Sequence, residues 1–149
     1  MQISGTVSTL LREKNRVTCS IEPIATVYKA IELMAEYNIG ALPVVEAGKL
    51  VGIFSERDYT RKVVLKGRSS RDTTVGDIMT RKPPIVSSDE SISECMRMMT
   101  DERVRHLPVV DDDELIGILS IGDLVKWIIS AQTATIDQLT RYVFGEQVE

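Results

Sequence analysis

Apolar residues recur along the chain with the spacing of one helix face and then fall into short continuous runs. Between residues 27 and 34 they occupy positions i, i+3, i+4 and i+7, which predicts an amphipathic helix with Thr26 as its N-cap and a stop near Gly40. Two apolar runs follow, at residues 41–45 and 50–54. The short polar turn between them predicts a hairpin of largely buried strands.

This pattern occurs twice, and each residue of the second copy lies 65 positions after its counterpart in the first. Residues 27–62 align without a gap to residues 92–127, and both copies end in a second predicted helix. In the second copy Ser91 is predicted to cap the first helix, with Glu94 completing a capping box. A repeat this regular indicates two similar units that pack together, because each unit has a face that it cannot bury alone.

Each unit is predicted to be a β-α-β-β-α module, so the fold class is α/β (α+β) with two repeats in pseudo-twofold symmetry. A short strand, near residues 18–21 in one copy and 85–86 in the other, should lead into the helix and join the hairpin by a right-handed parallel crossover. The predicted organisation is an N-terminal helical segment (1–16), repeat 1 (17–66), a polar linker (67–79), repeat 2 (80–130) and a C-terminal helix (131–149) that Gly145 ends.

The composition is that of a folded chain and argues against several kinds of partner. The 149 residues are 43% hydrophobic and 27% charged, which is enough apolar material for a core. A net charge of -4 argues against a nucleic-acid binder, which needs a basic surface. No apolar run approaches the roughly 20 residues of a membrane span, and the first residues do not form a secretory signal, so we expect a cytoplasmic protein.

Cysteine and histidine are too few to suggest a metal site or a catalytic cluster. Cys19 and Cys95 are the two cysteines and His106 is the one histidine, and their spacing matches no metal motif or disulfide framework. Two isolated thiols suit a reducing compartment. One histidine leaves little acid–base capacity near neutral pH, so we expect no enzymatic activity.

Two Ser-x-x-Asp pairs recur in register, Ser55 with Asp58 and Ser120 with Asp123, each at the start of a predicted helix. One interpretation is a capping box, in which the Asp stabilises the helix without any ligand. The other is a ligand contact, because a carboxylate can accept two hydrogen bonds from the cis-diol of a ribose. One residue can serve both purposes.

Together, these repeated sequence motifs resemble the CBS domain. The resemblance rests on the order of elements, on Leu42-Pro43-Val44-Val45, and on the motif Gly-x-x-Ser-x-x-Asp that follows it, all of them present twice. It covers about residues 17–130. In that family tandem repeats bind adenine nucleotides and usually form disk-like dimers, which implies a homodimer. The chain is also similar to small stand-alone bacterial and organellar CBS-pair proteins, which carry no enzyme domain.

The resemblance implies an adenosine site in each repeat. In the family the motif Asp binds the ribose hydroxyls, which implies Asp58 and Asp123. Contacts to the phosphate are implied for Ser55, Arg57, Arg105, His106 and Ser120. Contacts on the adenine side are implied for Cys19, Ile21, Gly40, Ala41, Pro84 and Val86. As in the regulatory subunit of the AMP-activated kinase, Asp58 is expected to share a cleft with Arg105 and His106 of the other repeat.

The predicted function is a regulatory sensor of an adenine nucleotide, with AMP favoured and ATP, ADP or NAD as alternatives, acting on an unidentified protein partner. The basic residues are not duplicated, since Gly40 and Ala41 stand where the second repeat has Arg105 and His106. Two unequal sites are therefore expected, with more phosphate bound on the Asp58 side. Three alternatives stay open: a ligand-free interaction module, a nucleotide hydrolase, and a sensor of another adenosyl ligand such as S-adenosylmethionine.

Overall fold

The structure, a computed structural model, describes residues 3–14 and 18–144. Its elements follow the predicted order within each repeat. They are α1 (Val7–Lys14), α2 (Val27–Tyr37), β1 (Ala41–Glu46), β2 (Lys49–Ser55), α3 (Glu56–Asp58) continued by a π-helix (Tyr59–Val64), α4 (Val75–Ile78), β3 (Thr80–Arg81), α5 (Ile92–Glu102), β4 (His106–Asp111), β5 (Glu114–Ser120) and α6 (Ile121–Val143).

The two hairpins have the same register, which confirms the repeat at the level of the backbone. Ala41 lies opposite Ser55 in the first hairpin, and its counterpart His106 lies opposite Ser120 in the second. The two-residue turns at 47–48 and 112–113 have positive φ at both positions, as hairpin turns that match the strand twist require.

The predicted leading strands are reduced to single parallel bridges. Ile21 pairs with Val44 and Val86 pairs with Val109. The parallel sense of the crossover is confirmed, while the strands themselves are too short to be assigned as such.

One predicted helix boundary and one predicted capping box were wrong. The helix α2 ends at Asn38, which is left-handed at φ 53, and Arg103 at φ 55 ends α5 in the same way, so Gly40 is not the stop. Ser91 caps α5 as predicted, but Glu94 does not complete a capping box. Its carboxylate instead accepts hydrogen bonds from the Arg97 side chain one turn further along.

The hydrophobic cores show that the segments preceding the two repeats are exchanged. The N-terminal helix α1 places Val7 and Leu10 in the core of the second repeat, and α4 places Val75 and Ile78 in the core of the first. The segments are also copies of each other. Bridges join Thr6 to Ser91 and Thr74 to Thr26, so each residue of the first segment lies 68 positions before its counterpart. The predicted linker therefore contains part of the first core.

The predicted C-terminal helix continues the last helix of the second repeat. The helix α6 runs without interruption from Ile121 to Val143, and Leu124 is its one buried residue. Residues 133–143 are all exposed. Gly145, the predicted stop, lies outside the described residues. No helix among the described residues is long and apolar enough to cross a bilayer.

Candidate functional site

A cavity of about 370 Å³ lies between the two repeats. The first repeat contributes Gly40 and the start of α3, and the second contributes Arg105 and His106 from the start of β4. The segment after β3 closes one side with Pro83 and Pro84. The structure thus brings Asp58 into one cavity with Arg105 and His106, as the family resemblance implied.

The Asp58 side chain is buried and held in place by four hydrogen-bond donors. Its Oδ2 accepts from the backbone N and the Oγ of Ser55, both at 3.0 Å. Its Oδ1 accepts from Thr80 Oγ1 at 3.0 Å and pairs with Lys62 Nζ at 2.9 Å. Ser55 in turn accepts from the Asp58 backbone N, so the predicted capping box is present. Lys62 is the most movable of these donors, because its side chain is 43% exposed.

Basic groups from both repeats approach the same cavity. Arg57 lines it, and Arg57 Nη1 donates to the Arg103 carbonyl oxygen at 3.0 Å, so this side chain already links the repeats. Arg105 lines the cavity from the other side. The cavity therefore offers two guanidinium groups to an anionic ligand.

His106 packs on the bare backbone of Gly40. A Cβ at Gly40 would lie 3.3 Å from His106 Cε1, closer than most side-chain contacts, so glycine permits this approach. Burial lowers the pKa of His106 from 6.5. The Asp123 carboxylate opposes this shift, and the Lys14 and Arg105 cations reinforce it. The imidazole is therefore neutral at neutral pH and offers the ligand a hydrogen bond rather than a charge.

Two polar residues of the cavity were not among the predicted site residues. Glu56 lines it beside Arg57 and adds a negative charge. Its counterpart in the second repeat is Ile121, so the comparison of the copies gave this position no weight. Thr80 lies outside the residues that align at the 65-residue offset and was assigned to the start of repeat 2. At the 68-residue offset its counterpart in the N-terminal segment is Arg12, so no sequence signal pointed to it.

The second Ser-Asp pair lies outside this cavity. Ser120 and Asp123 form the same capping box at the start of α6. The Asp123 carboxylate is paired with Lys14 Nζ at 2.8 Å, and the same Oδ2 accepts from the Ser120 backbone N at 2.8 Å. Burial raises the pKa of Asp123, but the bonds from Lys14 and Ser120 outweigh it and the pKa is lowered. Nothing in the repeat comparison pointed to Lys14.

The predicted adenine-side residues divide into two groups. Gly40 and Pro84 line the cavity. Ala41 is a buried strand residue, and Ile21 and Val86 lie in the two cores. Cys19, the counterpart of Pro84, packs against the first core. These four do not line the cavity, and their contact with adenine stays a prediction.

Comparisons with known proteins agree with this architecture. A sequence model of the CBS domain matches residues 11–65 and 75–130, so the matched ranges include part of each exchanged segment. Among curated proteins, the mitochondrial CBS domain-containing protein CBSX3 of Arabidopsis thaliana is 38% identical over 95% of this chain and 73% of its own length. The CBS domain-containing protein YhcV of Bacillus subtilis is 32% identical over 77% of this chain and 81% of its own length.

Solved structures give the same result. A CBS-domain protein of Burkholderia ambifaria, described as a putative signal-transduction protein, superimposes with a TM-score of 0.81 at 49% identity, covering 86% of this chain and 96% of that one. The CBS domain pair of protein MJ0100, solved with 5'-methylthioadenosine and S-adenosyl-L-methionine, gives 0.74 at 26% identity, covering 83% and 94%. With two matched repeats that span most of its length, the chain belongs to the CBS-domain family as a CBS pair.

Proposed function

We propose that this CBS pair is a non-catalytic regulatory module that binds one adenosyl ligand in the cavity between its repeats, with Asp58 on the ribose. The observation that carries the proposal is the meeting of Asp58 from one repeat with Arg105 and His106 from the other around a single cavity. The solved neighbour with bound S-adenosyl-L-methionine and 5'-methylthioadenosine supports an adenosyl ligand.

The groups in the cavity suit the three parts of a nucleotide. An apolar wall of Ile53, Pro83 and Pro84 can take a flat ring, as apolar pockets with few polar groups commonly do. The Asp58 carboxylate can accept hydrogen bonds from a ribose diol once Lys62 moves aside. Each charge-assisted bond of this kind contributes about 1.5–3 kcal/mol to the binding free energy. The guanidinium groups of Arg57 and Arg105 can pair with phosphate oxygens.

The charges in the cavity favour a ligand with few phosphates. Arg57 and Arg105 provide two positive charges, His106 is neutral at neutral pH, and Glu56 opposes a polyphosphate. AMP is therefore the first candidate, ahead of ADP, ATP and NAD. S-adenosylmethionine, whose sulfonium is cationic, is the candidate that Glu56 would favour.

A ligand that contacts both repeats can act as a signal. Such a ligand shifts the angle between the repeats, or between two chains of a homodimer, by as much as its affinity differs between the two arrangements. A protein partner would respond to that change.

A second candidate function is a ligand-free interaction module. The observation that favours it is the complete set of partners that Asp58 already has, namely Ser55, Thr80 and Lys62. In that case the Asp serves the helix cap and the packing between segments, and no nucleotide is needed.

Titration calorimetry with AMP, ADP, ATP, NAD and S-adenosylmethionine separates these functions, with thermal unfolding as a second measurement. A ligand present at 100 times its Kd stabilises the folded chain by about 2.7 kcal/mol. We expect Asp58→Asn to weaken binding of the preferred ligand by roughly 10- to 100-fold, the equivalent of one charge-assisted hydrogen bond.

Asp123→Asn is the matched control, because it makes the same change in the second capping box while leaving the cavity intact. Equal loss of affinity in the two variants would contradict the assignment of the ligand to Asp58. Absence of binding and of thermal stabilisation by all five ligands at millimolar concentration would favour the interaction module.

A further inference from the structure

The two exchanged segments are copies of each other, but their last residues have different structures. Those last residues are the ones that contact the two aspartates. After α4 the chain extends into β3, where Thr80 and Arg81 pair with Ile53 and Gly52 of β2. In the other copy α1 stays helical to Lys14. Leu11 of α1 packs on Gly117 just as Met79 packs on Gly52, so the divergence begins directly after this shared contact.

The last turn of α1 takes the place that β3 has in the first repeat. Lys14 Nζ donates to the Ile118 carbonyl oxygen at 2.8 Å, and Ile118 is the counterpart of Ile53, which pairs with β3. The same ammonium group donates to Asp123 Oδ2 at 2.8 Å, whereas in the first repeat the segment contacts the aspartate through the Thr80 hydroxyl, which donates to Asp58 Oδ1 at 3.0 Å. A strand edge and a hydroxyl line the first cleft, whereas a helix turn and a lysine lie over the second.

The lysine of the second pair is more enclosed than the lysine of the first, whereas the aspartate is less enclosed. Lys14 is 19% exposed against 43% for Lys62, and Asp123 is 20% exposed against 8% for Asp58. Lys62 reaches Asp58 from the helix that follows it, four residues further along, and its exposed side chain can move away and release the carboxylate to a ligand. Lys14 reaches Asp123 from a separate segment, and its ammonium group donates to the carboxylate oxygen that also accepts from the Ser120 backbone N.

We infer that the last turn of α1 is a tethered plug of the Asp123 cleft and that Lys14 decides how many adenosyl ligands one chain binds. The inference rests on the proposed function and goes beyond it. With Lys14 in place a chain binds one ligand, at Asp58. When Lys14 releases Asp123 and Ile118, residues 12–14 can unwind and extend along β5, as β3 extends along β2, and the second cleft becomes a site.

Titration calorimetry with AMP tests this on the whole chain. The variant Lys14→Met keeps the aliphatic stem and removes the ammonium group that makes both anchoring bonds. We expect one AMP per chain for the wild type and one additional AMP for Lys14→Met, and the double variant Lys14→Met/Asp123→Asn should lose the additional site. Lys62→Met is the matched control: it removes the lysine from the other aspartate, and we expect no additional site.

Hydrogen exchange of the amides of residues 11–14 provides a readout that does not depend on binding. It should be at least tenfold faster in Lys14→Met than in the wild type, whereas Lys62→Met should leave it unchanged. Two AMP molecules per wild-type chain, or no gain of a site in Lys14→Met, would overturn the inference while leaving the Asp58 proposal in place. A site gained by Lys14→Met in a chain whose wild type binds no AMP would support the plug and reject the Asp58 site.

Discussion

At the scale of single residues, Asp58 and Asp123 show how one capping motif acquires two environments. Both carboxylates accept a hydrogen bond from the backbone of the Ser three positions earlier, which fixes each helix start. Beyond that bond they differ, because Asp58 faces an open cavity and Asp123 is paired with Lys14. Both repeats therefore have the same helix cap. Whether the aspartate can also contact a ligand depends on the segment, distant in sequence, that packs beside the cap.

His106 makes the stability of the protein depend on pH. Burial lowers the pKa of His106 from 6.5, so the unfolded chain takes up a proton at a pH where the folded chain does not. The contribution of His106 to the free energy of unfolding is therefore present above the unfolded-state pKa of 6.5 and is lost as the pH falls below it. Urea unfolding from about pH 7.5 to 5.5 measures the slope.

The variant His106→Gln provides the control for this prediction, because His106 is the one histidine of the chain. The slope in this range should disappear in the variant. The carboxylates whose pKa is lowered, such as Asp111 and Asp123, change the stability only at more acidic pH, since their ordinary value is 3.8. An unchanged slope in His106→Gln would show that another group is responsible.

At the scale of elements, the contact of β3 with β2 depends on a glycine. A Cβ at Gly52 would lie 2.8 Å from the Thr80 carbonyl oxygen and 2.7 Å from Met79 Sδ. At the counterpart Gly117 a Cβ would meet Leu11 Cδ2 at 3.0 Å, which is the end of a flexible side chain. The backbone contact at Gly52 leaves no simple adjustment, so β3 must move away from β2.

We therefore expect Gly52→Ala to lower the free energy of unfolding by about 1–3 kcal/mol, the usual cost of overpacking, and Gly117→Ala to lower it less. Gly52→Ala should also weaken AMP binding, because a displaced β3 takes Thr80 away from Asp58. Urea unfolding and calorimetry of both variants test this. An equal or larger loss of stability in Gly117→Ala would contradict the prediction.

The elements inside the 65-residue repeat could be predicted because local pattern determines them. Thr26 and Ser91 cap helices where the apolar spacing begins, and the hairpin turns follow the apolar runs. The exchanged segments do not align at the 65-residue offset of the repeats. The first copy has three more residues between Val7 and Val27 than the second has between Val75 and Ile92, so the segments align at an offset of 68.

Lys14 was missed for a different reason. Its partner Asp123 is 109 residues away, and the contact exists because α1 packs on the second repeat rather than on the first. Hydrophobic periodicity reports that α1 has an apolar face, but it does not report which repeat covers that face. The meeting of Asp58 with Arg105 and His106 could be expected from the family resemblance, whereas the pairing of Asp123 with Lys14 required the packing of α1.

At the scale of the whole molecule, α6 carries the surface on which we propose that a homodimer forms. Between residues 125 and 143 it exposes a mostly apolar stripe with a heptad spacing. The a positions are Ile129, Ile136 and Val143, and the d positions are Val125, Gln132 and Leu139. β-Branched residues at a favour a two-stranded parallel coiled coil, particularly when Leu occupies d. A second copy of α6 would cover the stripe of the first.

Replacing Ile136 with Asp should therefore weaken the dimer, because it places a charge at the centre of that contact. Ile136 is 61% exposed in the single chain, so the substitution leaves the fold of each repeat unchanged. Ala134 lies at the f position, on the opposite side of α6, and Ala134→Asp is the matched control with the same change in charge. Sedimentation velocity should give the wild type and Ala134→Asp a mass of twice 16.6 kDa, and Ile136→Asp a dissociation constant at least tenfold higher. A monomeric wild type, or an equal effect of both substitutions, would exclude α6 as the dimer contact.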